Sequence, residues 1–303
     1  MFRVRQQIGC REEIIGGLQG KGVTAALLDT GIFPHPDFGN RILGFYDFVN
    51  ERKEPYDDSG HGTHVAGCLA GDGRLSGGKY KGVAPAVQLV IGKVLNDQGE
   101  GDMETMLTGI RWVLSHYMQY RIRILNVSIG LGEEGNKKRI RPLVKALEEA
   151  WELGILVVAA AGNSGPGAGT LSPLGESRKV LTVGCHDGNY RGTGVALCET
   201  YSGRGVAGEA YRKPDIVAPG TNILSTCSDC RPRGRRYENA YIAKSGTSMA
   251  APVVAGAAAL LWEAWPYLTN VELKQRLLYA AEDLREPWNK QGWGMLNVPR
   301  CFR

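Results

Sequence analysis

Ser248 lies in the stretch Ser245-Gly246-Thr247-Ser248-Met249-Ala250-Ala251-Pro252, directly ahead of the apolar run Val253 to Trp262. Small neighbours let a substrate backbone approach a hydroxyl. The apolar run predicts a buried helix with Ser248 at its N-terminus, where free N–H groups and the helix dipole favour an oxyanion. A serine hydroxyl is a weak nucleophile near neutral pH and needs an adjacent base. Two distant segments carry the partners for one. His61 opens the small-residue run Ser59-Gly60-His61-Gly62-Thr63-His64-Val65-Ala66-Gly67, and Asp29 ends the apolar run Ala25-Ala26-Leu27-Leu28-Asp29. An imidazole can take a proton on one nitrogen while a carboxylate holds the other, fixing the tautomer and stabilising the imidazolium. Together the three residue types can perform acyl transfer. Singly, each has a plainer reading: a helix cap, a helix-start histidine, and a turn-forming Asp before Thr-Gly.

The order Asp…His…Ser and the three surrounding motifs resemble the subtilisin-like serine proteases, from about Gly20 to the C-terminus. Three matched motifs in family order outweigh the plainer readings. The resemblance implies a serine endopeptidase with Asp29, His61 and Ser248 as its catalytic triad. It makes the first histidine of His-Gly-Thr-His the base and leaves His64 to packing. Ala159-Ala160-Ala161-Gly162-Asn163-Ser164-Gly165 resembles the segment that carries the side-chain donor of the oxyanion hole, which implies that role for Asn163. Leu125-Asn126-Val127-Ser128-Ile129-Gly130 and Gly99-Glu100-Gly101 resemble the strands that flank a bound peptide. A peptide between them gains main-chain hydrogen bonds indifferent to sequence, so Ser128, Ile129, Gly130, Gly99, Glu100 and Gly101 are expected substrate contacts. Glu100 on that rim would favour basic residues upstream of the cut. Leu171, in Thr170-Leu171-Ser172-Pro173, stands where the family's pocket floor is often glycine and would make the pocket shallower.

The elements that must position these residues follow from periodicity. Near-continuous apolar runs at Gly22 to Leu28, Val87 to Leu95, Ile122 to Ile129, Ile155 to Ala161 and Val180 to Gly184 predict buried strands, with an alternating edge strand at Arg41 to Phe48. Helical spacing over Asp102 to Tyr120 and Leu143 to Trp151, and the capping box Thr269-x-x-Glu272, predict intervening helices. Such alternation argues for a doubly wound α/β fold: a mostly parallel sheet with helices on both faces and functional residues at strand carboxyl ends. Residues 1–21 read as a short polar lead-in to a single domain over 22–303.

A net charge of +5 is mild, and no basic helix accompanies it, which argues against nucleic acid as a partner. The Met1 end has no secretory signal pattern, and no apolar run is long enough to span a bilayer. Seven cysteines, an odd number scattered along the chain, do not form a disulfide framework. The expectation is therefore a cytoplasmic protein with reduced thiols, of the family's intracellular type, acting on polypeptides. Nothing in the sequence fixes an oligomeric state.

Three segments depart from the family pattern. Cys227-Ser228-Asp229-Cys230 precedes Arg231-Pro232-Arg233-Gly234-Arg235-Arg236 in an enlarged loop. It reads as a redox pair or half a zinc site, followed by a solvated basic loop, a self-cleavage site or a contact for acidic partners. Cys68, seven residues beyond His61, falls on a similar helix face. The chemistry needs no cofactor, but the family commonly binds structural Ca²⁺, for which Asp37 is the candidate ligand. The partner loop Gly71 to Lys79 carries two cations, which oppose occupancy.

Overall fold

The computed structural model describes residues 1–129, 137–190, 192, 196–208 and 210–303. Seven parallel strands form its central sheet in the order β2-β3-β1-β4-β5-β6-β7. They are β1 (Thr24–Asp29), β2 (Ile42–Asp47), β3 (Gln88–Lys93), β4 (Ile122–Val127), β5 (Leu156–Ala160), β6 (Leu181–Cys185) and β7 (Ile216–Ala218). Two antiparallel pairs lie outside that sheet: β8 (Ile223–Thr226) with β11 (Tyr241–Lys244), and β9 (Arg231–Arg233) with β10 (Arg236–Glu238). The helices are α1 (Phe2–Gln7), α2 (Glu12–Ile15), α3 (His61–Ala70), α4 (Met103–Tyr120), α5 (Lys137–Glu152), α6 (Thr247–Ala264), α7 (Asn270–Tyr279), α8 (Trp288–Gln291) and α9 (Val298–Cys301).

Alternation along the strands separates two hydrophobic layers. Ala25 and Leu27 of β1 join Leu156 and Val158 of β5 in a core covered by α3, α6 and α7. Ala26 and Leu28 join Val157 and Ala159 in a second core under α4 and α5. Every residue of β1 is buried, as expected of a parallel strand covered on both faces. The order reverses beside β1, which lies between β3 and β4. The carboxyl ends of β1 and β4 therefore flank the crevice where doubly wound folds bind ligands.

Helix α6 meets the length and apolarity for crossing a membrane, but 83% of it is buried inside this core. The six strands expected from the sequence all form. The short strand β7 and both antiparallel pairs were not expected. The polar lead-in requires a correction. Met1, Val4, Ile8, Cys10 and Ile15 are at most 3% exposed and pack into the first core. Gln7 donates to the Asp187 carbonyl at 2.6 Å. Apolar residues at i, i+3 and i+7 supply the buried face that the charged neighbours obscured.

The thiols also depart from expectation. Cys185 at the end of β6 and Cys198 are joined as a disulfide, with Cα atoms 5.8 Å apart. Cys10, Cys68, Cys227, Cys230 and Cys301 are free and buried.

Candidate active site

Asp29 ends β1 and is 1% exposed. Its Oδ1 accepts from Thr30 N at 2.8 Å and lies 2.7 Å from His61 Nδ1. Oδ2 is buried with no hydrogen-bond partner. His61 is the first residue of α3, and a quarter of its side-chain surface stays open. Burial lowers its proton affinity, but the charge and hydrogen bond of Asp29 outweigh burial, so its pKa is raised above the ordinary value. The approach of α3 to β1 depends on Gly62. A Cβ there would lie 2.2 Å from Gly31 O and 3.1 Å from Asp29 Oδ1.

Two residues that sequence reasoning missed hold this junction. The buried carboxylate of Asp57 accepts from Thr30 Oγ1, Gly60 N and Thr63 N, each at 2.8 Å, and from Thr63 Oγ1 at 2.5 Å. Thr30 Oγ1 in turn accepts from Gly62 N at 2.9 Å. The residue after Asp29 and the first turn of α3 therefore share one acceptor. Lys93, fully buried, donates to Thr30 O at 2.8 Å and to Leu95 O and Asp58 at 2.7 Å. The signal for Asp57 was its place three residues before Gly60, where a carboxylate can cap the helix. Nothing in the local sequence marked Lys93.

His64, one turn along α3, is fully buried. Burial lowers its pKa to about 3. Its Nε2 lies 2.8 Å from Ile223 O and 3.1 Å from Ile242 O, so the neutral ring donates there. It pins the β8–β11 pair onto α3, the contact of a packing histidine. Cys68 faces His64 Nδ1 at 3.7 Å. Its similar face to His61 therefore has another outcome: its contact is with the packing histidine.

Ser248 stands in the first turn of α6, after Gly246 at the N-cap. Its N–H is among those a helix start leaves without an intrahelical partner. Its hydroxyl donates to Ser128 O at 3.2 Å rather than to His61. Ser128 Oγ returns a bond to Ser248 O at 3.3 Å. That carbonyl is available because the residue four positions on is Pro252, which has no N–H. A helix proline thus opens the acceptor that ties α6 to the segment after β4. Asn163, after β5, accepts from Thr247 N and Oγ1, both at 3.1 Å, through Oδ1. This fixes its amide with Nδ2 toward Gly246, whose Cβ would lie 3.4 Å away. Leu171 is half-buried, and its neighbour Ser172 donates to Ala161 O at 2.7 Å, which sets it beside the Asn163 segment.

Half-buried Gly99 and exposed Glu100 and Gly101 lie in the loop after β3, where Asn96 N donates to Glu100 O at 2.8 Å. Glu100 and Gly101 also line a cavity of about 430 Å³ with Phe48, Val94 and Thr105. Ile129 is buried beside Ser128, and Gly130 lies outside the described residues.

Asp37 is tied into the protein by hydrogen bonds. Its Oδ1 accepts from Leu75 N at 3.2 Å and its Oδ2 from the Tyr241 hydroxyl at 2.8 Å. Each carboxylate oxygen thus accepts one hydrogen bond, and Arg41 donates to the residue's own carbonyl. Cys227 and Cys230 are buried free thiols. Among the described residues, the one grouping of His, Cys, Asp or Glu atoms close enough to share a metal is Cys185, Asp187 and Cys198. Two of those are the disulfide.

Residues 20–294 match the model of the subtilase family, and the chain belongs to that family of subtilisin-like serine proteases. It is 42% identical over 292 residues to the serine protease AprX of Bacillus subtilis (strain 168), covering 93% of this chain and 66% of that protein. Subtilisin Savinase of Lederbergia lenta is 36% identical over 287 residues, with 95% of this chain and 93% of that protein covered. The chain thus spans just under two thirds of one relative and nearly all of the other. Among solved structures, Sphericase superposes with a TM-score of 0.75 at 29% identity, covering 95% of this chain and 96% of that one. A cold adapted subtilisin-like serine proteinase superposes with a TM-score of 0.71 at 29% identity, covering 93% of this chain and 90% of that one.

Proposed function

We propose that this chain is a serine endopeptidase that hydrolyses peptide bonds in extended polypeptide segments through an acyl-enzyme at Ser248. The observation that supports this reading is the 2.7 Å contact between Asp29 and His61. Rotation of Ser248 about χ1, away from Ser128 O, is the movement the reading requires. Catalytic hydrogen bonds are often loose before substrate binds.

In this reading His61 Nε2 takes the Ser248 proton as Oγ attacks the scissile carbonyl. Asp29 holds Nδ1–H and stabilises the imidazolium. The developing oxyanion accepts from Asn163 Nδ2 and Ser248 N–H. The same proton then passes to the leaving amine, the C–N bond breaks and an ester remains on Ser248. Water, deprotonated by His61, hydrolyses that ester. Side chains handle every proton and bond, so no step runs through a metal. The acyl half of the substrate lies between Gly99–Gly101 and Ser128–Gly130, with its side chain toward Leu171. Glu100 favours basic residues on that half. Residues 22–303 form one peptidase domain with the first 21 residues folded onto it. Five free cysteines support a cytoplasmic setting, and the Cys185–Cys198 bond argues against one.

A scaffold without turnover and a general esterase are the rivals. Fluorophosphonate labelling of the parent and Ser248→Ala, together with hydrolysis of casein and an internally quenched peptide, separates them. We expect labelling at Ser248 and a loss of about 10⁶ in kcat on its replacement, the loss known for subtilisin. An unlabelled parent, or ester hydrolysis with no peptide hydrolysis, would overturn the reading.

A further inference from the structure

The enlarged loop 227–240 is not used by the chemistry above. Its base adjoins the start of α3. A Cβ on Gly60, the residue before His61, would lie 2.6 Å from Ser228 Oγ. Thr226 Oγ1 donates to Thr63 O at 2.7 Å and Ser225 Oγ to His64 O at 3.0 Å. Through these bonds and His64, the β8–β11 pair stands on the helix that begins with His61. The end of β11, Lys244, is four residues before Ser248, and its charge acts on the His61 ring. Ser248 touches Ser128 on its other side. In the proposed reading Ser128 borders the acyl half of the substrate. The loop and Lys244 therefore border the half that leaves.

The two sides carry opposite charge. Residues 227–244 contain Arg231, Arg233, Arg235, Arg236 and Lys244 against Asp229 and Glu238, a balance of +3. Arg231 pairs with Asp229, and Arg233 with Glu238. Arg235 and Arg236 have no ion pair among the described residues, and every residue of β9 and β10 is exposed. On the acyl side, residues 97–104 contain Asp97, Glu100, Asp102 and Glu104 and no Lys or Arg. None of these four is ion-paired among the described residues. Like charges held together without counterions are free to attract a ligand of opposite sign.

We propose that Arg235, Arg236 and Lys244 form a basic wall on the leaving-group side of the cleft, opposite the acidic rim of residues 97–104. The pair selects segments with basic residues before the cut and acidic residues after it. The inference rests on the endopeptidase reading and adds the charge polarity of the substrate. Each exposed pair contributes a factor of about 1.5 to 5, so two or three together give roughly tenfold discrimination.

The test uses two quenched peptides of identical composition around one neutral core: a Lys-rich amino half with a Glu-rich carboxyl half, and the reverse. A third peptide carries the neutral core alone. At low ionic strength we expect kcat/KM for the first to exceed the second by about tenfold. The ratio should fall toward one at about 1 M salt, where the screening length is about 3 Å. The double variant Arg235→Glu with Arg236→Glu should remove most of the preference or invert it. The neutral peptide, run with parent and variant, shows in each case whether the reaction itself survives. Equal cleavage of the two isomers, or a preference that the double variant leaves intact, overturns the charge arrangement alone. No hydrolysis of any peptide by the parent overturns the endopeptidase reading with it.

Discussion

Among the described residues two Asp–His pairs form, and they behave oppositely. Asp29 and His61 meet at 2.7 Å, with the ring partly open to solvent. Asp37 and His35 are 3.8 Å apart, both with fully buried side chains. His61 has a raised pKa because the Asp29 contact outweighs burial. His35 has a lowered one because burial outweighs Asp37. The difference lies in how each carboxylate uses its oxygens. Asp29 gives Oδ1 to the imidazole, whereas Asp37 has already given one oxygen to Leu75 and the other to Tyr241. Asp29 also accepts from Thr30 N, so what separates the pairs is the direct bond to the ring: a carboxylate offsets the burial of a histidine here only where it comes within hydrogen-bond reach of the imidazole.

Exchanging the acids should break this comparison most sharply. Asp29→Asn is expected to lower kcat by about 10⁴, as the same change does in the trypsin-type triad. Asp37→Asn should leave kcat within about twofold and lower stability by about 1–3 kcal/mol, the cost of buried donors losing a charged acceptor. Peptide kinetics and urea melts on both variants check this. A large kcat loss in Asp37→Asn would remove the distinction.

The second way is acid titration. His35 and His64 both have pKa values lowered by burial in the fold, that of His64 to about 3, but take up protons near pH ~6.5 when unfolded. Their stability contribution is full above that pH and falls below it, by about 1.4 kcal/mol per pH unit for each proton. His61 has the opposite sign: its raised pKa adds stability that is present below pH ~6.5 and lost as pH rises through the folded value. His64→Gln should flatten the acid slope of urea-melt stability between about pH 6.5 and 4. An unchanged slope would show that the ring titrates elsewhere.

The smallest effect sharpens the active pair. The acid limb of kcat/KM should have its midpoint above ~6.5, because the base must be neutral to accept the serine proton. Lys244 opposes protonation of His61. Lys244→Ala should therefore move the limb upward by a few tenths of a pH unit, measured on a neutral peptide. A downward shift would contradict the placement of that charge.

Much of this was legible where one segment carried its own signal. Five near-continuous apolar runs and one alternating run gave six strands, and the motifs that resemble the family put forward Asp29, His61, Ser248 and Asn163 as candidates. What escaped depended on residues far apart in the chain. Tyr241 satisfies Asp37 across 204 positions, and no local pattern announces that. Lys93 is buried with its charge met by Asp58 and by carbonyls of Thr30 and Leu95, partners its own segment does not announce. The first fifteen residues were too rich in charge for their buried stripe to stand out. The disulfide was missed because a count of cysteines says nothing about which two meet.

Because the strands of the large sheet all run the same way, their carboxyl ends open onto a single edge. Extra length added to a connection at that edge, as in residues 227–240, leaves the packed layers beneath it undisturbed. A lineage built on this plan can revise what it cuts by lengthening or recharging a loop, while the machinery that breaks the bond is carried forward unchanged.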